Sequence, residues 1–492
     1  MARLIVASLA LALSAPVAVG TQGPPGAPGG APPTSGVVRK NKAPVSDETL
    51  RVRLPRPAEA DLANGLHLMV LEDRRVPQIT FSLIIPGAGG YADPASRPGL
   101  AGAAAAMMRE GTATRTSAQI SEQLETMAAT VNVGASISTP DAFVSGSALS
   151  EHFPRVFDLA ADLLLHASFP ADELARYKQR TRAQLQQQRS LPGFLAAERY
   201  ARAMYGDHPA GRVSLTPESL DQITRDELAA LHKARYVPDH AVLAMSGDIS
   251  LAEARALVES KLAGWARTGT AAPQVMDPPA AGPGGISLVA RPNSVQTSFI
   301  VGTQAIKRTD PDWDIVSVMN RVIGGGPTAR LFLHLREEKG YTYGAYSNVV
   351  AGRFRGDWRA QTDVRAEVTE PALHDLLAEV ARLRDEPVPE QEFREVKRSM
   401  VASFALSLES PEQVLSSYVT SWQYKLPPDY WDKYPGRIMA VTQAQVRAAA
   451  QKYLDAGRLQ IVAVANPASA SVLAKYGTVT TYDSEGRRVA AP

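Results

Sequence analysis

The sequence predicts an α+β protein built from two homologous domains, each a mostly antiparallel β-sheet with helices packed on one side. Three observations predict it. Two distant stretches open in the same way, each is followed by alternating strand-like and helix-like segments, and a run rich in Pro, Ala and Gly separates them.

Taken in order, residues 1–20 carry the three parts of a secretory signal: Arg3, a short apolar run from Leu4 to Leu13, and small residues around Ala18-Val19-Gly20. The run is shorter than the ~20 residues that span a bilayer, and no later segment reads as a membrane span. Cleavage near Thr21 predicts an exported chain, periplasmic or secreted. Residues 21–44 are dominated by Gly, Pro and Ala, have little to bury, and read as a disordered tether.

The first domain, residues 45–267, opens with Gly65 to Leu71, a polar turn, and Gln78 to Gly87, which read as strand, turn and strand. A segment of helical period follows from Leu100 to Arg109. Val131 to Ser138 and Ala142 to Leu149 read as paired strands, Phe157 to His166 as a strongly apolar helix face, and Pro170 to Gln188 as a long polar helix. Tyr236-Val237-Pro238, a strand from Ala241 to Ser246, Gly247-Asp248 and a helix through Trp265 close the domain. Residues 268–284 read as a linker. The second domain, 285–475, repeats the opening with Gly285 to Ala290, Pro292-Asn293 and Gln296 to Gly302, followed by a helical segment from Trp313 to Ile323. It closes with Lys452-Tyr453-Leu454 and a strand from Leu459 to Ala465, leaving 476–492 as a tail.

Composition narrows the function. The chain has 52 Lys and Arg against 50 Asp and Glu, so no concentrated basic patch marks a nucleic-acid partner. Cysteine is absent, which removes disulfides, thiolate metal sites and thiol nucleophiles, and no Gly-x-Ser-x-Gly elbow occurs. Of the eight histidines (His67, His152, His166, His208, His232, His240, His334 and His374) no two lie three or four residues apart, so no helix offers a pair of imidazoles. Gly324-Gly325-Gly326 lacks the Lys-Ser or Lys-Thr of a phosphate cradle and reads as a flexible loop into the helix around Leu331.

Residues 99–112, Gly-Leu-Ala-Gly-Ala-Ala-Ala-Ala-Met-Met-Arg-Glu-Gly-Thr, resemble the zinc-binding helix of the pitrilysin/insulinase peptidases, or inverzincins. In that helix Gly-Leu-Ala leads into His-x-x-Glu-His and then Met and Gly-Thr. Also similar to the family are Tyr236-Val237-Pro238 before a strand and Gly247-Asp248, the run Gly206-Asp207-His208-Pro209, and Ile323-Gly324-Gly325-Gly326 leading to Ala329-Arg330-Leu331-Phe332. The resemblance runs along nearly the whole globular chain and points to the smaller bacterial members and the mitochondrial processing-peptidase subunits.

Two imidazoles four residues apart on one helical face share a zinc, with the Glu between them as general base. Here the His, Glu and His positions hold Gly102, Ala105 and Ala106, with Ala103 and Ala104 between them. The family's third ligand, a Glu on the long helix, falls in the stretch 175–190, which contains Arg180 and Arg182 but no acid. The resemblance therefore implies a degenerate metal site and no metal in this chain.

In the second domain, Arg336 and Tyr343 resemble the family's Arg and Tyr pair seven residues apart. Gly340 reads as a left-handed residue past a helix end, which places Arg336 on the last turn and Tyr343 on the next strand. By resemblance, Arg336 holds substrate backbone and the Tyr343 hydroxyl donates to the oxygen that becomes negative in a tetrahedral intermediate. Asn132, Val133, Gly134 and Ala135 resemble the family's edge strand that receives extended peptide. Gly324, Gly325 and Gly326 resemble a glycine-rich loop that receives substrate, here shortened.

The implied function is a non-catalytic, zinc-free subunit of a zinc metallopeptidase acting on peptides. The implied partner is a similar subunit with His-x-x-Glu-His intact, which would carry the zinc of the heterodimer. The alternative is a peptide-binding or structural protein with no catalytic role; a self-sufficient enzyme with a separate site is a third reading.

Overall fold

The computed structural model describes residues 50–269, 271 and 274–489. The signal and the tether, 1–20 and 21–44, lie outside the described residues. Twelve strands build the described chain: β1 (Ala58–Asp61), β2 (His67–Glu72), β3 (Gln78–Pro86), β4 (Thr130–Ala135), β5 (Asp141–Leu149), β6 (Val242–Gly247), β7 (Gly285–Ala290), β8 (Gln296–Gln304), β9 (Thr342–Val350), β10 (Asp357–Arg365), β11 (Gln460–Ala465) and β12 (Val479–Tyr482).

The strands form two six-stranded sheets, ordered β1-β2-β6-β3-β5-β4 and β12-β7-β11-β8-β10-β9. The predicted duplication is visible in the pairing. In each half the first and last strands of the repeat run parallel, β2 with β6 and β7 with β11, and the remaining central pairs are antiparallel. The halves differ at one edge, where β1 is antiparallel to β2 and β12 is parallel to β7. Residues 479–482, read as tail from the sequence, are that edge strand. Four residues carry too little period to announce a strand whose partner lies almost 200 positions earlier.

Alternation sets which way each sheet faces. In β3, Ile79, Phe81, Leu83 and Ile85 are buried while the residues between them are half-exposed. The buried row meets the helices Leu100–Met108 and Phe153–His166 in one core. The second half repeats this, with Phe299 and Val301 of β8 against the helices Trp313–Ile323 and Thr369–Asp385.

The other side of each sheet takes a helix from the opposite half, which the sequence did not disclose. Helix Pro411–Tyr424 lays Val414, Leu415, Tyr418 and Val419 on Met69, Leu71, Val242 and Ala244. Helix Pro192–Tyr205 lays Leu195, Tyr200 and Met204 on Val289, Ile300, Val462 and Val464. At about 1.5–3 kcal/mol for each large apolar side chain buried, this exchange joins the halves firmly. It also explains β11, buried along its whole length because both its faces are covered. Among the described residues no helix is long and apolar enough to cross a membrane.

Candidate functional site

The helix Leu100–Met108 starts at Gly99, whose φ of +92° only glycine adopts readily. Asp93 caps it, accepting from the N–H groups of Gly99 at 3.0 Å and Ala101 at 3.1 Å. Burial pushes the Asp93 carboxyl up to about 6, against the pull of these N–H groups and of Arg235. Leu100, Ala101, Ala103, Ala104, Met107 and Met108 are buried in the core, and Gly102 and Ala106, one turn apart, are half-exposed. A Cβ added to Gly102 would lie 3.3 Å from the Ala135 carbonyl oxygen, so the emptied positions and β4 are neighbours.

Zinc does not fit this helix. Gly102, Ala105 and Ala106 offer no donor atom, and Ala105 is 1 % exposed. The long helix Ala171–Arg189 brings a cation toward it instead: Arg180 pairs with Glu110 at 3.0 Å, just past the end of the short helix. Glu110 also accepts from the Ser117 hydroxyl at 2.8 Å. Arg182 turns to Asp221. No group of three or more His, Cys, Asp or Glu among the described residues is arranged to hold a metal ion.

In the second half, a helical turn at Arg330–Phe332 runs into a π-helical turn, Leu333–Glu338. Buried Arg330 anchors its start by a two-pronged pair with Glu392 at 2.7 and 3.0 Å. Gly340, at φ +62°, reverses the chain, and Arg336 and Tyr343 fall where the sequence places them, on the last turn and on β9. Arg336 lies over the Phe332 ring at 4.6 Å and 3.4 Å from Glu337. Phe332 in turn meets Tyr346 at 5.4 Å, and Tyr346 covers Gly344, where a Cβ would come within 2.7 Å of its ring.

Tyr343 sits in a β-bulge. Thr342 pairs with Val364 and Ala345 with Thr362, so Tyr343 and Gly344 together oppose Asp363. The Thr362 hydroxyl donates to the Gly344 carbonyl at 3.0 Å and the Gly344 N–H donates to the Thr342 hydroxyl at 3.1 Å, pinning the bulge. Tyr343 is 91 % exposed and has no hydrogen-bond partner among the described residues. The Phe332–Tyr346 platform was not foreseen, although an aromatic residue four before Arg336 is the spacing that stacks on a helix.

The glycine run corrects an expectation. Gly324, Gly325 and Gly326 are read from the sequence as a flexible loop, yet they pack tightly. A Cβ on Gly324 would lie 2.5 Å from the Ser347 nitrogen, Ser347 donates to the Gly324 carbonyl at 2.8 Å, and Arg321 donates to the Gly325 carbonyl at 2.6 Å. Glycine serves here for close approach to β9 rather than for freedom of the chain. Asn132, Val133, Gly134 and Ala135 lie in β4, the outer strand of the first sheet, paired on one side only with β5. Tyr343 lies in β9, the matching outer strand of the second sheet, and Arg336 on the turn that leads into it.

Two family models match the chain: insulinase (peptidase family M16) over residues 68–218 and the peptidase M16 inactive domain over 222–400, together about two thirds of the sequence. Among curated proteins, the uncharacterized zinc protease YmxG of Bacillus subtilis is 24 % identical over 72 % of this chain and 85 % of its own. An uncharacterized zinc protease of Mycobacterium leprae is 25 % identical over 71 % of this chain and 78 % of its own. Among solved structures, a peptidase M16 inactive domain from Pseudomonas fluorescens superposes with a TM-score of 0.77 at 29 % identity, over 83 % of this chain and 98 % of that one. A protease from Helicobacter pylori shares the fold at the same TM-score and 14 % identity, over 84 % of this chain and 100 % of its own.

Proposed function

We propose that this chain, which belongs to the insulinase (M16) peptidase family, is the zinc-free subunit of a two-chain peptidase exported to the periplasm. A homologous partner with His-x-x-Glu-His intact supplies the metal and the general base. This chain supplies Arg336, Tyr343 and an edge strand for extended peptide. The observation that carries the reading is the contrast between an acceptor-free helix at Gly102, Ala105 and Ala106 and a tyrosine held 91 % exposed on a pinned bulge. Held there, the Tyr343 hydroxyl is open to a group outside the chain.

In this reading Arg336 donates to a substrate carbonyl or carboxylate, and the Tyr343 hydroxyl donates to the oxygen that gains charge as the peptide bond is attacked. Zinc, bound in the partner, supplies Lewis acidity and an activated water. A peptide-binding protein with no catalytic role is the rival reading, favoured by the contacts Arg336 already makes with Phe332 and Glu337 in its own helix.

Affinity capture of the mature chain from its native extract, with mass spectrometry and zinc analysis of the eluate, tests the proposal. Near-equal recovery of a similar chain bearing His-x-x-Glu-His, with about one zinc per pair, is expected. Recovery of this chain alone and without zinc turns the reading to the rival.

A further inference from the structure

The face of the first sheet turned away from its own helices carries a cavity of about 440 Å³ beside the free edge of β4, partly roofed by helix Pro411–Tyr424. The register lines up two polar rows across it. In one, Thr130 lies opposite Ser147 and Ser147 opposite Thr80, and Thr80 opposite Ser246. This row satisfies itself: the Thr130 and Ser147 hydroxyls are 3.0 Å apart and those of Thr80 and Ser246 are 2.8 Å apart.

The neighbouring row differs. Asn132 lies opposite Ser145, and Ser145 opposite Ser82. The side chains of all three line the cavity, and none has a hydrogen-bond partner among the described residues. Next to this row, Phe143 lies over Gly134, where a Cβ would meet its ring at 2.4 Å. The lining includes no Lys, Arg or His, and its one charged member is Glu412.

We infer that the Asn132–Ser145–Ser82 row is a side-chain subsite selecting glutamine in a peptide added to β4, an inference that rests on the reading of β4 as a peptide-receiving edge. A strand paired to β4 places every second side chain on this face, within about 5 Å of Asn132. Unpartnered hydroxyls and an amide call for a group that both donates and accepts. A carboxamide does both, a carboxylate faces Glu412 with no cation to offset it, and an aliphatic chain leaves the polar row without partners. Glutamine exceeds asparagine because its extra methylene lets the amide lean across Asn132 toward Ser145, on the next strand inward.

The test is fluorescence anisotropy of labelled short peptides that alternate valine with glutamine, glutamate or leucine, titrated with the full mature chain, its Ser145→Ala and Asn132→Ala variants, and repeated with an N-methylated glutamine peptide that cannot pair as a strand. Expected is about tenfold tighter binding of the glutamine peptide than of the other two, a preference lost in both variants, and loss of binding on N-methylation. Equal affinities for the three peptides, with N-methylation still abolishing binding, overturn the subsite and leave the edge reading standing. Binding that ignores N-methylation, or no binding by any peptide, overturns both. The peptide series on the unaltered chain decides the matter even where a variant folds poorly.

Discussion

In the first half, helix Ser117–Thr126 ends and the chain enters the free edge strand β4 through Ala128, at φ +47°; in the second, the turn ending at Glu338 leads into the free edge strand β9 through Gly340, at φ +62°. The two backbones make the same left-handed reversal at the same place in the repeat. Their side chains have gone opposite ways. The helix beside β4 presents Gly102 and Ala106, with no donor or acceptor beyond the backbone, whereas β9 carries Tyr343 on a bulge and the turn before it carries Arg336 over Phe332. Packing maintains the scaffold because the inward faces are indifferent to what the exposed positions hold. The side chains at an exposed edge can thus change without cost to the fold.

The comparison breaks most visibly where the halves interlock. Helix Pro192–Tyr205 meets the second sheet through Asp357, which is 1 % exposed and accepts from Tyr200 at 3.0 Å and from Tyr205, while Arg359 stands 3.3 Å away. The opposite exchange, helix Pro411–Tyr424 on the first sheet, is mainly apolar. Asp357→Ala leaves the Tyr205 hydroxyl without its acceptor and Tyr200 with only the Trp358 carbonyl at 3.4 Å, and should cost about 3 kcal/mol, read as a fall in the thermal midpoint. Val419→Ala in the apolar exchange should cost less. Equal losses would erase the difference between the two exchanges.

Smaller effects sharpen the contrast at the edges. Gly324→Ala forces a methyl group onto Ser347 of β9 and should cost about 1–3 kcal/mol; a neutral result in a stability assay would restore the reading of a flexible loop. At the reversals, Gly340→Ala should destabilise by about 1 kcal/mol, since nothing lies within 4 Å of an added Cβ and only the left-handed backbone resists it. Ala128→Gly should stabilise by a similar or smaller amount, so shifts of the same sign would refute the equivalence. Finally, the triple change Gly102→His, Ala105→Glu and Ala106→His should leave the chain without stoichiometric zinc by elemental analysis, because the long helix still offers Arg180 rather than a carboxylate.

Much of this was legible in the sequence, for identifiable reasons. Strands such as β3 and β8 and the helix Trp313–Ile323 have periods long enough to read, and the duplicated openings fixed the two-sheet plan. Gly340 declared the geometry of Arg336 and Tyr343 because few residues but glycine follow a helix in a left-handed turn. What escaped depends on partners distant in sequence. The crossed helices Pro192–Tyr205 and Pro411–Tyr424 look like ordinary amphipathic segments until the sheet they cover is known. β12 is too short to declare itself, and the polar row Asn132–Ser145–Ser82 exists only once the register of three strands is set.

The shared-site reading is tested most directly by the turnover of a fluorogenic peptide by the reconstituted pair, this chain with the proposed His-x-x-Glu-His partner, comparing the unaltered chain with Tyr343→Phe. That change removes one hydroxyl, without a hydrogen-bond partner among the described residues, from a ring that is 91 % exposed. A fall of about 10²–10³-fold in kcat, with zinc content and complex formation unchanged, is the expected result. An unchanged rate contradicts the reading and leaves Tyr343 outside the chemistry.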